Sequence, residues 1–187
     1  MQFTYALLAT ALAVAGLSRV VETVHPPDQE KLDDAAILAA VDFMHTAEIE
    51  SGQLAQEQGE APEVKELGRS LVAAHTQARD DARSLARKAG LSPKRSAADP
   101  VAREHGEALT RLRGQEGKAF DRAFIEHEVA FHQTALEKVK TSLIPSASRP
   151  ELRAYLNRLA PALQAHLEEA RALQTRIVAF SGALQGP

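Results

Sequence analysis

Cysteine is absent from the 187 residues. With it go disulfides, thiolate metal sites, iron–sulfur clusters and covalently attached c-type haem. Tryptophan is absent too, and aromatics are only 4% of the chain. A β-sandwich or barrel is therefore disfavoured, because strands lean on aromatic and β-branched side chains, and no stretch alternates apolar and polar residues with period two. A formal net charge of −3 lacks the strong positive excess of a general nucleic-acid binder. No phosphate loop and no nucleophile elbow is present, so nothing points to a particular enzyme class. What is abundant is alanine, leucine, glutamate and arginine, a helix-forming composition. The 44% apolar and 25% charged residues suit a folded globular chain.

Phe3 to Leu17 form an apolar run interrupted only by Thr4 and Thr10. The run is short for a membrane span, which needs about 20 residues, but it fits the apolar core of an export signal. Ala13 and Ala15 supply the small residues a signal peptidase reads, so residues 1–15 are expected to be a cleaved leader. Met1-Gln2 ahead of the run carries no basic residue, which leaves an uncleaved anchor as the alternative and the only expected tie to a membrane. Pro26-Pro27 mark residues 16–32 as a linker. Residues 33–181 are expected to be one helical bundle, with 182–187 a tail.

Within 33–181 the punctuation divides four long helices. The first runs from Asp33 or Asp34 to about Gln58 and stops at Gly59. The second opens on Pro62 and ends at Gly90. Asp99-Pro100 begins a short helix closed by Gly114. A long helix follows from about Gly117 to Leu143, with Pro145 as its stop. Ser148 and Glu151 have capping-box spacing ahead of a final helix to about Phe180. Leu152, Leu156, Leu159, Leu163, His166, Ala170, Leu173 and Ile177 step by four and three along that helix, and Val64, Leu67, Leu71, His75, Ala78, Ala82 and Leu85 do so along the second. Such repeats are the seams of an all-α, four-helix bundle. The short helix falls in the crossover between the second and third long helices, and its length leaves the bundle topology open. Charge is uneven: residues 28–66 carry a net −9 and residues 79–122 a net +4. Solvated or mutually paired faces account for that pattern, and a docking surface is the sharper reading.

The histidines fall where apolar residues belong. His75 and His166 stand on seams, and Asp121, Glu128 and His132 share a stripe with Phe124, Ile125 and Ala135. In the first helix Glu48 shares a face with Val41, Met44 and Ser51; Glu50 borders the same face. His105 sits on the apolar side of the short helix, while His25 and His45 are expected to be exposed. Glu48, His75, Glu128, His132 and His166 lie near the middle of their helices, so every long helix sends an acid or a histidine inward at one level. Asp121 is seven to eleven residues away, about 10 to 16 Å along a helix, and belongs to another layer.

Three segments carry a resemblance: FMHTAEIESGQLAQEQGEAPEVKELGRSLVAAH from Phe43 to His75, GKAFDRAFIEHEVAFH from Gly117 to His132, and LAPALQAHL from Leu159 to Leu167. In this order and spacing they resemble the motif blocks of a bacterial family of ferritin-like domains of unknown function, assigned to the periplasm or outer membrane. The resemblance covers about residues 33–175. It implies a ferritin-like bundle in the cell envelope and singles out Glu48, His75, Asp121, His132 and His166, preferring Glu48 over Glu50. Ala74 stands where that family often has Asp, and His127 and Glu128 stand where it is often apolar.

A ferritin-like fold suggests a di-iron centre, which uses paired Glu-x-x-His motifs. Val72 and Leu163 occupy the glutamate positions before His75 and His166, which argues against that centre. What remains is two or three imidazoles with a carboxylate, suited to a single zinc, copper or iron ion. The expected metal set is therefore Glu48, His75, His132 and His166, helped by Glu128 and with Asp121 nearby. The expected role is metal handling or stress protection in the envelope, with a homo-oligomer or an envelope protein as partner. The alternative is a structural or interaction bundle whose buried histidine–carboxylate network binds no metal.

Overall fold

The computed structural model describes residues 32–93 and 100–183. The expected leader, all of the expected linker but Leu32, and residues 184–187 lie outside the described residues. Among the described residues there is no strand, and the chain is an all-α bundle. α1 (Asp34–Gln58) and α2 (Pro62–Lys88) form a hairpin, and α3 (Pro100–Arg113) lies in the crossover. α4 (Gly117–Lys138) runs through a π-helical turn, Val139–Leu143, into the one-turn α5 (Ile144–Ser146), and α6 (Pro150–Ala183) completes the bundle. No described helix is long and apolar enough to cross a membrane.

Local chemistry sets the ends. The Asp33 carboxylate accepts the Ala36 N–H at 2.7 Å and caps α1. Gly90, at φ 66°, closes α2 with the paired bonds of a Schellman motif: Leu91 N–H to the Ala86 carbonyl and Gly90 N–H to that of Arg87. Pro145 was expected to stop the third long helix near Leu143, but the chain continues to Ser146. Proline has no N–H for the Thr141 carbonyl and its ring crowds that oxygen. The backbone absorbs the misfit upstream, where Ile144 N–H reaches back five residues to Val139.

Two carboxylates establish the topology that spacing left open. Asp121, near the start of α4, accepts the N–H groups of Glu60 and Ala61 just ahead of α2, both at 2.8 Å. Asp34, at the start of α1, accepts those of Ser148 and Arg149 ahead of α6, at 2.8 and 3.2 Å. The starts of α2 and α4 therefore share one end of the bundle, and those of α1 and α6 the other. α2 and α4 run parallel, and the crossover bearing α3 spans the bundle. The amides ahead of α6 are served by Asp34, in place of the expected Ser148–Glu151 box.

Helices α1 and α2 approach so closely that only glycine fits at two facing positions. A Cβ on Gly52 would lie 2.8 Å from the Gly68 carbonyl oxygen, and one on Gly68 would lie 2.6 Å from that of Gly52. The apolar core divides in two. One cluster gathers Ile37, Val41, Leu143, Leu152 and Leu156, and the other Leu71, Phe120, Phe124 and Leu173. A polar layer lies between them.

Candidate metal centre

α1 is buried on nearly every side, which carries Glu48 and His45 to the bundle axis, both with no exposed surface. His45 was expected to be exposed; it lies on the side of α1 that packs against α2, with Leu38, Ile49 and Gly52, while Asp42, Thr46 and Glu50 form the solvent side at this level. α2 brings His75, α4 brings Glu128 and His132, and α6 brings the half-buried His166. His75, His132 and His166 each offer one ring nitrogen, all within 4.8 Å of one another. His75 Nε2 and His166 Nδ1 are 3.3 Å apart. Two nitrogens bound to one tetrahedral ion at about 2.05 Å stand roughly 3.3 Å apart, so this pair already has the edge length of such a site.

The protons on these rings follow from their partners. Tyr155 Oη donates to the Ala78 carbonyl at 3.1 Å, so it accepts from His45 Nε2–H at 2.7 Å. Burial holds His45 down at about 4, so the ring is neutral and its Nδ1 is bare. That nitrogen accepts from His75 Nδ1–H at 2.9 Å. His75, held well below its usual range by burial and by the neighbouring histidines, is neutral too and turns a bare Nε2 to the centre. In α4, His132 Nδ1–H donates to the Glu128 carbonyl one turn back, at 3.0 Å. Burial keeps this ring neutral, near 4, and leaves its Nε2 bare. Two imidazoles thus present lone pairs inward, each held by a hydrogen bond on its far nitrogen.

Glu48 Oε2 faces His132 Nε2 at 3.5 Å. That nitrogen and both Glu48 oxygens are buried with no hydrogen-bond partner, as is Glu128 Oε2. Ser51 donates to the other Glu128 oxygen at 2.9 Å. Burial, then the charge of Glu128 beside it, pushes the Glu48 carboxyl well above the usual range. Burial likewise raises Glu128 to about 7, against the Ser51 hydrogen bond.

Asp121 stands apart from this set. Both its oxygens are taken by the amides ahead of α2, where helix-terminal N–H groups favour a carboxylate, so its place in the expected metal set is corrected to that of a cap. His105 pairs with Glu50 at 3.1 Å, beside a cavity of about 360 Å³ that His127 also lines. His45, Tyr155 and His127 were missed as participants. The place of His45 among Leu38, Val41 and Ile49, off the polar stripe of Asp42, Thr46, Glu50, Gln53 and Glu57, was the signal that could have found it.

Fold and site together define a helical bundle with a buried imidazole–carboxylate layer at mid-height. The chain belongs to the DUF4142 family, described as a domain of unknown function, whose model matches residues 21–173. No curated protein matches the sequence significantly. Among solved structures the chain is similar to "CopM in the Cu(II)-bound form", with a TM-score of 0.61 and 19% identity over 78% of this chain and 98% of that one. At that identity the likeness concerns the fold.

Proposed function

We propose that the chain binds a divalent transition metal through His75, His132, His166 and Glu48, with Glu128 supporting, and serves metal handling in the cell envelope. One observation carries the reading. A bare imidazole nitrogen and a carboxylate oxygen face each other at 3.5 Å with no donor for either. Burying such atoms unsatisfied costs several kcal/mol, and a cation at this point satisfies them together. His166 ligates by moving its proton to Nε2, which its half-exposed ring permits. Copper(II) heads the candidates, ahead of zinc and iron, because nitrogen–oxygen sites favour it among divalent ions. The Cu(II)-bound state of the structurally similar protein agrees with that choice. The apolar run at Phe3–Leu17 supports export; mass spectrometry of chain expressed in a Gram-negative host should find it shortened near Ala15.

Calorimetric titration of tag-free, chelator-free protein tests the binding. Copper or zinc is expected to bind far tighter than millimolar and to raise the melting temperature by mass action, and His166→Ala is expected to cut that rise sharply. The raised carboxyl of Glu48 favours a second reading, in which Glu48 is protonated, donates to His132 and only holds helix register. Under that reading His166→Ala lowers stability equally with and without metal, and titration shows nothing tighter than about millimolar (near −4 kcal/mol).

A further inference from the structure

Glu48, Glu128 and His127 form a separate trio, each offering one ligand atom within 4.8 Å of the others. Both carboxyls are fully buried. Both Glu48 oxygens, Glu128 Oε2 and His127 Nε2 lack any hydrogen-bond partner. Ser51 supplies one donor, to Glu128 Oε1. A single proton would satisfy at most two of these atoms, whereas a cation reaches one atom of each of the three residues.

We propose that this trio is a second metal position beside the three imidazoles, taking a divalent cation such as zinc or manganese; the proposal rests on the metal reading above. The donor chemistry differs between the two. Three neutral imidazoles carry no charge, while Glu48 and Glu128 together balance an ion of charge two. An oxygen-rich set also suits harder ions than an imidazole set does. The access differs as well. The cavity between α1, α3 and α4, lined by Phe43, Met44, His105, His127 and Phe131, brings solvent to His127 on one wall of the trio. The positions meet at the 3.5 Å contact of Glu48 Oε2 with His132 Nε2, so Glu48 is shared. Two cations this close repel, and the positions therefore fill one after the other with unequal affinity.

Tag-free full-length chain titrated with zinc chloride, with bound zinc counted by elemental analysis, tests the proposal. Wild type is expected to hold two zinc ions in two steps, and His127→Gln and His166→Ala one each. Glutamine retains much of the histidine volume, His127→Ala serves as the second variant, and circular dichroism checks that each folds. A single zinc in wild type, or a count that neither His127 variant lowers, overturns the second position and leaves the imidazole position standing. No bound zinc in wild type overturns both.

Discussion

His75 keeps its Nε2 lone pair because a tyrosine hydroxyl two links away is committed to a backbone carbonyl. Removing that hydroxyl in Tyr155→Phe leaves the His45 Nε2–H without its acceptor and frees His45 and His75 to exchange tautomers. Metal affinity is expected to fall roughly 10–100-fold, the usual size of such outer-contact losses. Calorimetry measures the affinity, and nitrogen NMR of the rings reports the tautomer. An unchanged affinity would remove the relay from the account. The same buried rings set an acid limit on the fold. His45, His127 and His132 are held near 4, and His75 lower, against an ordinary 6.5 for histidine. Between about 4 and 6.5 the unfolded chain binds more protons than the folded one, so these groups make stability fall as pH falls. Glu128, raised from 4.5 to about 7, and Glu48, raised by burial and by Glu128, act in the opposite sense over that interval, since there the folded chain holds the extra protons. The five lowered histidines, His166 included, outnumber the two carboxyls. With chelator present, the melting temperature is expected to be lower near pH 5 than near pH 6.5, and a higher value at pH 5 would contradict the neutral rings.

Each long helix is held in register by contacts that spacing alone does not reveal. Gly52→Ala drives a methyl to 2.8 Å from backbone, where nothing flexible can yield. An overpacking cost of about 1–3 kcal/mol should exceed the 0.5–1 kcal/mol that alanine gains over glycine within a helix. Urea unfolding is expected to show a net loss. Asp121→Ala removes the acceptor for two amides ahead of α2 and should cost about 1–2 kcal/mol while metal affinity holds, because its carboxylate serves those amides. A lost metal site would return Asp121 to the ligand set. The seams of α2 and α6 were legible from the steps of four and three, since each shows one face to the core. α1 was less legible: its solvent stripe of Asp42, Thr46, Glu50, Gln53 and Glu57 is narrow, and His45, a polar residue on the buried side beyond it, read as a surface residue. Asp121 read correctly as inward, but its amide partners lie some sixty residues earlier, beyond the reach of a local pattern. Pro145 signalled a helix end, and the π turn upstream let the chain continue.

The bundle places its costliest groups at mid-height, between two apolar clusters, with one carboxylate capping a neighbouring helix at each end. Fold stability and site formation are thus separable, because the end clusters can hold the helices while the middle layer exchanges a proton or an ion. The opposite charges of residues 28–66 and 79–122 meet in part across the hairpin, where Arg83 pairs with Asp42. The bare nitrogens of His75 and His132, beside the unsatisfied Glu48 carboxyl, give this layer the donor chemistry on which the proposed metal binding rests. The most direct test is electron paramagnetic resonance of tag-free chain loaded with one equivalent of copper(II). The account predicts a bound-copper spectrum with nitrogen coupling from imidazole ligands, weakened in His132→Gln while that variant still folds. A spectrum matching copper in buffer, or nitrogen coupling that His132→Gln leaves untouched, would contradict it.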